Sequence, residues 1–118
     1  MNWTNDCAYS PERKSVFHAQ ARKRLKQLAN ALDLDPNTYD LRSNHGGIAV
    51  SGEITLHHER LYVQVSQPGA GVPGILYRSC QGRKDYRGGH NHFAPLDRLD
   101  DPEALAALIR RTLPNLKL

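Results

Sequence analysis

Between Ser79 and Phe93 the chain gathers three cations (Arg83, Lys84, Arg87), two aromatics (Tyr86, Phe93), two histidines (His90, His92) and three glycines (Gly82, Gly88, Gly89). Guanidinium and ammonium groups pair with phosphate oxygens, and aromatic rings stack on bases. Glycines let a backbone approach a strand closely. Basic residues interleaved with aromatics are the composition expected of a nucleic-acid-binding surface. On this basis Arg83, Lys84 and Arg87 are expected to meet phosphates, Tyr86 and Phe93 to stack, and His90, Asn91 and His92 to hydrogen-bond. Burial as a core anchor explains Phe93 equally well.

Other chemistries are open to the same residues. His90 and His92 are two apart and would point the same way in an extended segment. His57, His58, Asp85 or Cys80 could complete a metal site, but no second pair at fixed spacing accompanies them, so neither a metal nor a cofactor is expected. Metal-free cleavage of a phosphodiester needs an imidazole as base, a second group as acid and a cation on the phosphate. His90, His92, Tyr86, Arg83 and Lys84 supply those types, which makes a ribonuclease a lesser alternative. No serine or cysteine nucleophile stands in a recognisable setting. No catalytic residue is assigned, and binding without turnover is preferred over an enzyme. Cys7 and Cys80 read as unpaired thiols.

The elements that must hold this stretch are legible from periodicity. Residues 1–9, with Trp3 and Tyr9, read as a loose arm. Ser10, Pro11 and Glu12 form a helix start: a cap, a proline at the first position and an acid at the positive end of the dipole. Phe17, Ala21, Leu25, Leu28 and Leu32 then fall on one stripe, and Pro36 ends the helix. Arg22, Lys23 and Lys26 cluster on its opposite face, either as a solvated surface or as an extension of the basic footprint.

From Thr38 the period changes to two. Thr38–Asn44 alternates, and His45-Gly46-Gly47 is a turn. Ile48, Val50, Gly52, Ile54 and Leu56 share one face of the clearest strand, with Gly52 as a candidate bulge. Leu61, Val63 and Val65 alternate with Tyr62, Gln64 and Ser66. Residues 67–74 form a loop without the Gly-Lys-Ser/Thr ending of a phosphate-binding P-loop. Residues 75–80 make a fourth strand. Asp101 and Pro102 start a final helix whose stripe is Leu105, Leu108, Ile109 and Thr112, closed by Pro114.

The expectation is one α+β domain over residues 1–118. It has a four-stranded, mainly antiparallel sheet, with an N-terminal and a C-terminal helix packed on one face (order α-β-β-β-β-α) and a long loop at 81–95. The other sheet face, with Ser51, Glu53, Thr55, Tyr62 and Gln64, is left open to water or a partner, which includes a second copy in a homodimer. In outline the order resembles the double-stranded-RNA-binding domain. That domain places lysines at the start of its last helix, where this chain has Asp100, Asp101 and Glu103, so no family is assigned.

A chain of 118 residues allows one core, and its 24% charged and 39% hydrophobic content is that of an ordinary globular protein. No apolar run approaches the ~18 residues of a membrane span, and without an export signal the cytoplasm is the expected compartment. The net charge of +4 favours an anionic partner, either nucleic acid (RNA or DNA) or an acidic protein surface. The second is the alternative function: a protein-interaction module acting as inhibitor, adaptor or subunit. Residues 93–103 carry four acids against Arg98, so Arg83 or Arg87 could instead fold back on Asp97 or Asp100 and leave no basic surface.

Overall fold

The computed structural model describes residues 11–44, 50–68, 74–85 and 89–116. Helix α1 (Pro11–Ala31) is followed by strands β1 (Tyr39–Asn44), β2 (Val50–His58), β3 (Leu61–Pro68), β4 (Gly74–Ser79) and β5 (His92–Pro95), and by helix α2 (Pro102–Thr112). The strands form a single antiparallel sheet in the order β1-β2-β3-β4-β5. The sheet therefore has five strands where four were expected, and the order is α-β-β-β-β-β-α. Residues 92–95, expected within the long loop, are the fifth strand. The N-terminal arm, the turn at 45–47, the tip at 69–73 and the residues Tyr86, Arg87 and Gly88 lie outside the described residues.

Both helices pack on one face of the sheet, because the apolar stripes and the alternation agree. Phe17, Ala21, Leu25, Leu28 and Leu32 of α1 are buried with Leu105, Ala106 and Ile109 of α2. They meet Ile54 and Leu56 of β2, Val63 and Val65 of β3, Ile75 and Tyr77 of β4, and Ala94 of β5. The stripe from Ile54 to Ala94 follows the strand register. At about 25 cal/mol for each Å² of apolar surface removed from water, this layer is the main source of stability.

Local signals end the elements. Asp33 takes a positive φ of 59°, and the amides of Asp33 and Leu34 return to the carbonyls of Asn30 and Ala29. This Schellman-type cap stops α1 at Ala31, well before Pro36, the residue the sequence singled out. Pro36 instead opens a short 3-10 turn, Pro36–Thr38, capped by the Asp35 carboxylate on the Asn37 amide at 2.8 Å. Asp101 caps α2 as expected, accepting from the Ala104 amide at 3.1 Å. The β2–β3 register slips by one residue between Val50 and Glu53, a bulge that spans Gly52.

Candidate functional site

The face of the sheet turned away from the helices carries two rows of side chains that run across the strands. In the first, Arg42, Thr55, Gln64, Leu76 and Phe93 stand in register from β1 to β5. In the second, Asp40, His57, Tyr62 and Arg78 stand in register from β1 to β4. Phe93, at one end of the first row, is 73% exposed, but Thr55 within that row is buried, as are His57, Tyr62 and Arg78 of the second.

The second row is buried because the segment after β4 folds back over it. The Arg78 guanidinium donates to the Asp85 carbonyl at 2.9 Å and lies 4.5 Å over the Tyr62 ring. Arg42 donates through Nη1 to His57 Nδ1 at 3.1 Å, and through Nη2 to the Asp40 carboxylate at 3.0 Å and the Arg83 carbonyl at 3.1 Å. Arg83 reaches across to the turn before β1, where Nε donates to the Thr38 carbonyl at 3.1 Å and Nη2 to the Asn37 carbonyl. The segment is tightened from within by the Asp85 amide on the Gly82 carbonyl and the Gln81 amide on the Asp85 carboxylate. The chain then comes back to β4. Gly89 has a φ of +75°, and a Cβ there would sit 2.5 Å from the Ser79 carbonyl oxygen. A loop whose two ends touch in this way has the shape of an Ω-loop.

This network fixes the state of His57. Arginine only donates, so Nδ1 must be the bare nitrogen and the ring is neutral, with its proton on Nε2. Burial holds its pKa below the usual 6.5, and the charges of Arg42 and Arg78 push the same way; a backbone hydrogen bond at Gly82 and the charge of Asp85 oppose them. His58 is also lowered, first by burial, and its Nδ1 accepts the Arg60 amide at 3.0 Å. The Cys80 thiol donates to the His58 carbonyl at 3.1 Å and is raised, first by burial. It is a poor nucleophile in this setting.

The residues read from the sequence are only partly brought together. Lys84, His90, Asn91 and Phe93 are exposed at the loop and the adjoining strand. Arg83 is turned inward onto backbone carbonyls rather than onto Asp97 or Asp100. His92 faces the opposite way from Phe93, with its ring stacked on Tyr77 at 5.4 Å and 25°. The core-anchor role considered for Phe93 falls to Ala94 and Leu96, which are buried. Arg22, Lys23 and Lys26 are exposed on α1, in the layer behind the sheet, and do not share the Phe93 face. Among the described residues no three His, Cys, Asp or Glu side chains lie close enough to hold a metal ion.

Thr55 and Tyr62, expected on the open face, are both buried. Sequence reasoning counted Arg78 among the cations of the basic stretch but gave neither it nor Arg42 or Leu76 a place in the site. Strand alternation alone signals that Leu76 and Arg78 oppose Ile75 and Tyr77. No known family, curated protein or solved structure matches the chain, and no helix among the described residues is long and apolar enough to cross a membrane.

Proposed function

We propose that the protein binds nucleic acid without turnover, at the corner where the segment after β4 meets the part of the sheet face that carries Phe93. The observation that carries this reading is Phe93. A large aromatic ring stands 73% exposed on a hydrogen-bonded strand, which gives a base a flat platform. Beside it the loop presents exposed Lys84, His90 and Asn91. Arg83 adds a charge held in place by the neutral carbonyls of Thr38 and Asn37. Tyr86 and Arg87 belong to the same assignment on sequence grounds, and Arg22, Lys23 and Lys26 form a separate basic patch on α1.

Fluorescence anisotropy of a labelled oligonucleotide at two salt concentrations tests this. The expected result is binding that weakens steeply with salt, because displaced counterions set the affinity. Phe93→Ala should remove a large part of it while leaving stability unchanged, since the ring contributes little to the core. Absence of binding even at low salt overturns the proposal. The Leu76–Phe93 pair, apolar and side by side on an otherwise polar face, favours a second reading in which a protein surface docks there. That reading predicts no oligonucleotide binding at any salt.

A further inference from the structure

We infer that the ligand is a single strand, laid across the β-strands from Phe93 toward Arg42, with its phosphates along the 80–85 segment and its bases on the sheet. This rests on the nucleic-acid reading above and adds a substrate class and a path. The path follows from what borders it. Toward the ends of the strands where β4 passes into the loop, the 80–85 segment covers His57, Tyr62 and Arg78 and rises as a wall. Toward the other ends stand Glu53 and, opposite it, Ser66, and the Glu53 carboxylate repels phosphate. Between the two lies the row Phe93, Leu76, Gln64, Thr55 and Arg42, in which Thr55 is buried and the other four offer the surface.

The floor of this track suits unpaired bases. Phe93 gives a stacking face and Leu76 continues it as an apolar step. Gln64 comes next, about 10 Å from Phe93 at the usual strand spacing. Its Oε1 accepts the Tyr62 hydroxyl at 2.9 Å, so its amide nitrogen is the group turned toward a base edge. Tyr62 is itself clamped by Arg78 over its ring and by the edge-on His57 ring at 5.0 Å, so Gln64 is held rather than searching. The row ends about 19 Å from Phe93 at Arg42, whose side chain is 39% exposed. That length suits on the order of four nucleotides, the lower end for small single-strand binders.

A duplex does not fit these features. Its bases already stack on one another, and reaching Phe93 would require them to unstack. An unpaired base meets the ring without that cost. The wall supplies an exposed cation, Lys84, on the side where a backbone would run.

The test compares a labelled single-stranded octamer with the blunt duplex of the same sequence, at low salt, on the full chain. The single strand should bind at least tenfold more tightly. Phe93→Ala should weaken it by roughly 5- to 150-fold, the loss expected of one stacked base, while Phe93→Tyr restores it. Gln64→Ala should weaken it several-fold, and Ser66→Ala, off the track, should leave it unchanged. Equal affinity for single strand and duplex overturns this inference and leaves the nucleic-acid reading standing. So does a Ser66→Ala loss equal to that of Gln64→Ala. If neither oligonucleotide binds, both fall.

Discussion

Mild acid should destabilise this protein well above the range in which its carboxylates titrate. His57 is fully buried, and its Nδ1 faces an Arg42 N–H that can only donate. A second proton on the ring would break that hydrogen bond and set three positive charges together, since Arg78 is also close enough to disfavour it. His58 is lowered by burial as well. The sign follows directly. Both folded values lie below 6.5, so as the pH falls through 6.5 the unfolded chain takes up protons that the folded chain refuses. Stability is fully present above 6.5 and declines below it. The limiting slope is about 1.4 kcal/mol per pH unit for each histidine, and the loss levels off once the folded values are reached.

At about pH 5.5 each histidine can thus remove up to about 1.4 kcal/mol relative to neutral pH, a visible share of the ~5–15 kcal/mol typical of a domain. Urea midpoints followed by circular dichroism between about pH 7.5 and 5.5 would measure it. His57→Asn separates the two residues. Its Oδ1 can accept from Arg42 near the place of Nδ1, but it cannot titrate. The variant should start less stable, through the cavity it leaves, yet lose the part of the pH dependence that His57 carries. Wild-type stability that stays level or rises on acidification would refute the reasoning, as would an Asn variant with the full dependence.

Two further substitutions probe the loop. Gly89→Ala should cost roughly 1–3 kcal/mol in urea unfolding, because its φ of +75° is unfavourable for a side chain and the new Cβ would collide with the Ser79 carbonyl. A neutral result would mean that the loop does not close there. Arg83→Ala removes the donors on the Asn37 and Thr38 carbonyls, for about 1 kcal/mol, and should raise amide exchange at Asp85 several-fold. Unchanged exchange would show that Arg83 does not hold the loop down.

The parts of this fold that could be read from the letters are those fixed by near neighbours. The stripe from Phe17 to Leu32, the cap at Asp101 and the bulge at Gly52 each depend on residues a few positions apart. β5 escaped notice because it is four residues long, ends in Pro95 and takes its strand character from pairing with Ile75, Leu76 and Tyr77. From the sequence Phe93 is equally readable as a stacking ring or as a core anchor. It is exposed because the strand period of two gives the buried side to Ala94. The inward turn of Arg83 carries no local signal at all, since the carbonyls it meets lie 45 and 46 residues earlier. The cationic character of the loop was legible, but not which of its charges the fold would use for itself.

The contact between Ser79 and Gly89 has a consequence for how this protein can change over time. Residues 80–85 are anchored to Arg42, Arg78 and Thr38, so insertions between Asp85 and Gly89 leave those anchors, and the pairing of the flanking hairpin, in place. Because loop closure grows only slowly more costly with length, such a segment behaves as an exchangeable cassette. Descendants of this chain could acquire new contacts there while inheriting an unaltered frame.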